Sequence, residues 1–126
     1  MIHILPAADG VLETLRADCG NAQAEGMMLL DGNRPAGRAA YVRQEDRLRL
    51  LLVEAEDAGQ EDGLLRAVLN TGLQQGAVFA EVTASLAEKL PSWREFVKLD
   101  KDCAGRIRDF FTLCAGSCGK SGCHFS

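Results

Sequence analysis

The sequence predicts an α/β domain: one mixed sheet, made of an antiparallel meander plus one parallel βαβ unit, with helices on both faces. Three observations predict it. Residues 26–53 hold apolar or alternating runs broken by polar turns, as hairpin-linked strands do. Residues 60–75 place Leu64, Leu65, Val68, Leu69 and Leu73 at helical spacing. The run Ala-Val-Phe-Ala-Glu-Val at 77–82 follows that helix closely, and a strand–helix–strand succession suits a right-handed parallel crossover.

The elements follow in order. Residues 2–5 are β-like and Pro6 stops them. Val11, Leu12 and Leu15 then line one face of a helix over 8–18, with Gly20-Asn21 as its stop. Gly-Met-Met-Leu-Leu at 26–30 runs into Asp31-Gly32, a hairpin signal because Gly accepts the positive φ of a tight turn. Residues 37–43 return, Gln44-Glu45-Asp46 turns again, and 47–53 alternates. Period two puts Leu48, Leu50 and Leu52 on one face and Arg47, Arg49 and Leu51 on the other. An acidic loop is expected at 54–59, the long helix at 60–75 with Gly76 at its C′ position, and a strand at 77–82. Ser85 and Glu88 match a capping box opening a short helix that ends at Pro91. A strand at 96–99 and a helix at 102–113 complete the expectation.

The chain has 126 residues, 47% hydrophobic and 25% charged, an ordinary globular mixture for one core. We expect one domain over 1–113 and a Cys/Gly-rich tail over 114–126. Fourteen Lys and Arg against eighteen Asp and Glu leave a net charge of −4, and aromatics make up 6%. That balance points away from nucleic-acid binding, which draws on basic patches and stacking platforms. The start, Met1-Ile2-His3-Ile4-Leu5-Pro6, lacks the basic and apolar regions of a signal peptide, and no stretch reaches the roughly 20 apolar residues of a membrane helix. A cytoplasmic protein without a membrane partner is expected.

The element order, the helix Asp62-Gly63-Leu64-Leu65-Arg66-Ala67 running on to Leu69-Asn70, and Phe110-Phe111 before the cysteine-rich end together resemble the GNAT family of acyl-CoA N-acyltransferases. The likeness is to short GNAT-like proteins of Gram-positive anaerobes. It implies that the central strand, here 47–53, bulges and parts from its neighbour, so that backbone at Leu52 and Val53 holds the pantetheine arm of acetyl-CoA. It also implies that the turn matching the family's Arg/Gln-x-x-Gly-x-Gly/Ala pattern wraps the pyrophosphate, with Gln60, Gly63, Leu64 and Leu65 at the matching positions. Leu65 stands where the family has a small residue. Glu61 and Asp62 add carboxylates that satisfy the helix dipole and repel a pyrophosphate. The same residues also read as a self-capped helix start.

The resemblance implies a general base at Glu54, the end of the central strand; Glu56 and Asp57 beside it allow the plainer reading of a solvated acidic loop. The family's late tyrosine has no counterpart, since the sole tyrosine is Tyr41. Pro91-Ser92-Trp93 replaces the family's Gly-Phe pair, and Trp93 reads as a packing aromatic. Cys114, Cys118 and Cys123 crowd the end with His124. They read as zinc ligands, as a redox-sensitive thiol pair or as an unstructured tail, and Cys103 could complete a four-thiolate set. The function expected is acetyl transfer from acyl-CoA to an amine acceptor. The alternatives are a catalytically degenerate GNAT-like binding module, as a homodimer, and a metal- or redox-sensing protein.

Overall fold

The computed structural model describes residues 1–83, 86, 88–90 and 104–108. Its sheet has six strands in the order β1-β2-β3-β4-β5-β6. They are β1 Ile2–Pro6, β2 Glu25–Asp31, β3 Arg34–Gln44, β4 Arg47–Ala55, β5 Phe79–Val82 and β6 Ala104–Arg106. Helix α1 spans Asp9–Cys19 and α2 spans Ala58–Gln74. β1 to β4 pair antiparallel, β4 pairs β5 in parallel, and β5 pairs β6 antiparallel. The meander and the single βαβ crossover are thus both present.

The turns and caps have local causes. Asp31 pairs with Arg34, so Gly32-Asn33 is the whole β2–β3 loop, and Gly32 takes φ 68°. Gln44 pairs with Arg47, so Glu45-Asp46 makes the next turn, and Glu45 sits at φ 56° without being glycine. The Asp46 carbonyl then accepts from both Val78 N–H at 2.7 Å and Phe79 N–H at 3.0 Å, tying the start of β5 to the β3–β4 turn. α2 ends as the sequence predicts. Gly76 has φ 101°, Gly76 N–H donates to Leu73 O at 3.1 Å, and Ala77 N–H donates to Gly72 O at 2.8 Å. This 5→2 and 6→1 pair is a Schellman closure.

The two helices cover opposite faces. α2 buries Leu64, Leu65, Val68 and Leu69 against Leu29, Ala39, Tyr41, Leu48, Leu50 and Val53. Gly72 faces Leu48 so closely that a Cβ there would overlap the Leu48 Cδ1 atom. α1 covers the other face through Leu15, which packs with Ala24, Ala40, Val42, Leu51 and Leu52. Leu86 and Leu90 extend the α2-side core.

Two expectations are corrected. Residues 54 and 55 belong to β4 and α2 starts at Ala58, so the acidic loop shrinks to Glu56-Asp57; Asp57 caps the helix earlier than the apolar period alone suggested. Ala104–Arg106 is strand where a helix was expected over 102–113, because the open edge of β5 recruits it in antiparallel register, Phe79 against Arg106. Among the described residues helical structure follows at Ile107 and Arg108, and Ile107 is fully buried. Ser85, the strand expected at 96–99 and Trp93 lie outside the described residues, as does the tail.

Two measurements test this packing. Gly72→Ala should destabilise by about 1–3 kcal/mol through overpacking against Leu48. Leu48→Ala should cost about 2–5 kcal/mol. In the double variant the Gly72 penalty should nearly vanish, read as non-additivity in urea unfolding. Burial lifts the Tyr41 phenol above its ordinary value, and the neighbouring Glu25 charge adds to this. The folded state favours the neutral phenol, so this contribution is complete below the unfolded value of about 10 and is lost as pH rises through the folded one. Absorbance of the sole tyrosine at 295 nm should therefore rise together with alkaline unfolding, and Tyr41→Phe should flatten that loss of stability.

Candidate functional site: the bulge of β4 and the gap beside it

Ala40 pairs with Leu52 while Tyr41 pairs with Leu50, so Leu51 has no partner on β3 and forms a β-bulge. On the other side, β4 pairs with β5 only from Arg47↔Phe79 to Leu50↔Val82. Beyond that row the ladder ends. Backbone from Leu51 to Ala55 has no strand partner on the β5 side among the described residues.

One extra residue flips the parity of everything after it. Leu48 and Leu50 face α2, yet Leu51 and Leu52 both pack on the α1 side, and Val53 returns to the α2 core. Leu52 therefore leaves the face it was expected to share with Leu48 and Leu50. Alternation had no means of marking the skipped residue. Glu54 pairs with Arg38 across the strands, and its Oε1 accepts from Arg38 Nε at 2.9 Å. Arg38 Nη2 also meets Asp18 Oδ2 of α1 at 2.7 Å. Partial burial works against the Arg38 charge, but the hydrogen bonds to Asp18 and Glu54 outweigh it and hold the guanidinium above its usual value. Next to this network lies a cavity of about 370 Å³ lined by Val11, Met28, Pro35, Arg38, Glu54 and Glu56. Arg34 grips Glu56 in a two-point pair at 2.5 and 3.0 Å.

The start of α2 closes on itself. Asp57 Oδ1 accepts from Gln60 N–H at 2.8 Å, Gln60 Oε1 accepts from Glu56 N–H at 3.0 Å, and Glu61 N–H donates to Asp57 O at 3.0 Å. Asp62 pairs with Arg66 one turn on. The positions expected to wrap a pyrophosphate, Gln60 to Leu65, are helix rather than turn. Leu64 and Leu65 are fully buried in the core, and Gly63 lies against Ile4. Leu65 thus points at the sheet and does not crowd the outside of the helix start.

No family model and no curated protein sequence matches the chain. Solved structures do. The ribosomal-protein alanine N-acetyltransferase of Escherichia coli superposes with a TM-score of 0.58 at 15% identity, over 71% of this chain and 72% of that one. A GNAT-family acetyltransferase of Staphylococcus aureus gives 0.54 at 11% identity, over 78% and 82%. A Bacillus subtilis acetyltransferase, solved in complex with CoA, gives 0.53 at 12% identity, over 65% and 64%. The chain has the GNAT fold. At these identities the likeness concerns the fold alone.

On the α1 side of this GNAT fold lies a second, larger cavity that the sequence did not disclose. It holds about 530 Å³, and its lining includes Arg43, Arg47, Arg49, Glu25, Glu81 and the bulge residue Leu51. Arg47 and Arg49 read in sequence as the wet face of a strand. The parallel register that sets Glu81 and Phe79 beside them needed the crossover geometry. Arg47 stacks over Phe79 at 5.1 Å from its centroid, and Arg106 approaches the same ring at 5.8 Å.

Among the described residues no group of three or more His, Cys, Asp or Glu is placed to hold a metal, and no helix is long and apolar enough to cross a membrane. Cys19 is a free, half-buried thiol. Cys114, Cys118 and Cys123, the expected zinc set, lie outside the described residues with Cys103.

The hydrogen bond and charge of Arg34 pull the Glu56 carboxyl below its ordinary value. A depressed carboxylate contributes stability that is present above its unfolded value of about 4.3 and is lost as pH falls through the folded one. In an NMR pH titration Glu56 should titrate below the ordinary glutamate value of about 4.3, and Arg34→Gln should move it back up.

Proposed function

We propose that the chain is an acyl-CoA-dependent N-acyltransferase that moves an acetyl group to an amine. The single observation that carries this is the bulge at Leu51 beside the end of the β4–β5 ladder. A pantetheine arm is a peptide-like chain with its own N–H and C=O groups. It can pair with backbone that strand partners have left open, and Leu52 and Val53 lie in that open stretch. In the reaction the amine nitrogen attacks the thioester carbonyl carbon. The C–S bond breaks, and CoA leaves as its thiol once the sulfur gains a proton. The ammonium proton must first be removed, and Glu54 is the carboxylate we assign to receive it, oriented by Arg38.

The residues present fit one part of acyl-CoA better than another. The open backbone of β4 suits the arm. The helix start suits a pyrophosphate less, because Asp57 and Gln60 already cap it and Glu56, Glu61 and Asp62 surround it with carboxylates. We therefore assign the arm as the main source of cofactor affinity. The same acidic cap favours a second reading, a GNAT-fold module that has given up catalysis and serves as a binding partner.

Calorimetry with acetyl-CoA separates the two. Saturable binding is expected, and no heat and no thermal shift at millimolar ligand would remove the acyltransferase reading. Asp57→Ser keeps a cap while deleting a charge, and Glu61→Gln deletes another. Each should tighten acetyl-CoA binding about two- to fivefold, the equivalent of about 0.3–1 kcal/mol per charge at a helix N-terminus. Glu54→Gln should lower kcat about 10²-fold or more while leaving the acetyl-CoA Kd unchanged.

A further inference from the structure

We infer that the acceptor amine carries an anionic group, a carboxylate or a phosphate, which seats on Arg47 and Arg49 in the 530 Å³ cavity on the α1 side of β4. This rests on the acyltransferase reading and adds the class of acceptor to it.

Position comes first. Leu51, the residue at which β4 steps out of its ladder with β3, belongs to the cavity lining. The next row is where pairing with β5 has already stopped. A molecule in this cavity therefore borders the open stretch of β4 in which the thioester is proposed to lie. Its far end rests on the rows before the bulge, where Arg47 and Arg49 project.

Charge comes second. The guanidiniums of Arg34 and Arg38 are engaged by carboxylates at 2.5 to 3.0 Å. Arg47 and Arg49 are not. Both approach the same carboxylate, Glu81, at 3.9 Å, which is beyond hydrogen-bonding distance, and their side chains are 57% and 53% exposed. Two guanidiniums sharing one distant carboxylate keep donors for a guest. Arg47 is also stacked on Phe79, which limits the orientations of its planar fork before any anion arrives.

Composition comes third. Arg47 and Arg49 share the cavity lining with Glu81, so the site bears both signs with an excess of positive charge. It complements a guest that also bears both signs, an anion at one end and an amine at the other. The volume falls in the range of small-molecule sites, whereas an amine without an anion would leave the guanidiniums unused.

The test uses the full chain and three probes: L-glutamate, O-phosphoethanolamine and ethanolamine. Calorimetry and thermal shift should register saturable binding of at least one anionic probe and none of ethanolamine, and the better of the two anionic probes identifies the anion. The double variant R47Q/R49Q, its fold checked by circular dichroism, should bind that probe at least tenfold more weakly. Equal response to ethanolamine, unchanged affinity in R47Q/R49Q, or no response to either anionic probe overturns the inference. Acetyl-CoA is titrated separately into both proteins. If its affinity is the same in both while the anions fail, only the acceptor class falls. If the anions bind and acetyl-CoA does not, the acyltransferase reading and the acceptor role fall together, leaving a plain anion site.

Discussion

Most of what is distinctive in this molecule depends on Leu51 having no partner on β3. A strand that paired without interruption would send Leu52 to the α2 core and Glu54 with it, burying a carboxylate among leucines. Burying an unpaired charge costs several kcal/mol. The bulge avoids this. It lets Leu48, Leu50 and Val53 fill one core while Leu51 and Leu52 fill the other, and it turns Glu54 toward Arg38 and Asp18. The same step falls beside the last paired row of β4 and β5, so one skipped residue sets the packing of both faces and the position of the gap.

Around that step the two helices play unequal parts. α2 is held by a dense apolar contact, fully buried at Leu64, Leu65 and Val68, and closed at both ends by hydrogen bonds of its own. Such a helix is a fixed wall. α1 presses on the sheet mainly through Leu15, for which Gly26 leaves room, and its Asp18 reaches the Arg38 network. The electrostatics divide in the same way along the sheet. Near Glu54 and Glu56, arginines are tightly matched by acids. Near Arg47 and Arg49 the matching is loose, and there the surface retains capacity for a guest.

Much of the fold was legible from the chain because local signals agreed with the global one. Asp31-Gly32 made the turn, the Leu64–Leu73 period made the helix, and Gly76 closed it. What escaped has a shared cause, since each feature depends on registers between distant segments. The skipped residue at Leu51 is invisible to alternation. The strand at Ala104–Arg106 exists because β5 offers an edge. The arginine-lined cavity needs β3, β4 and β5 side by side. Of the candidate residues, Glu54, Leu52 and Val53 do meet at the gap. Gln60 takes part in the cap of α2, Gly63 lies against Ile4, and Leu64 and Leu65 fill the core, an arrangement set by Asp57 capping the helix ahead of them.

The β3–β4 turn has an influence beyond its own hairpin. Its Asp46 carbonyl takes two amide protons from the start of β5, and Glu45 beside it stands in a backbone region that side chains seldom occupy. That single oxygen acts as the zero mark from which the parallel strand is counted. The rows run from there to Leu50 and Val82 and no further. Losing those two hydrogen bonds at this corner would loosen the row Arg47↔Phe79, from which the parallel pairing starts, while Ala80 and Val82 in the core keep its register.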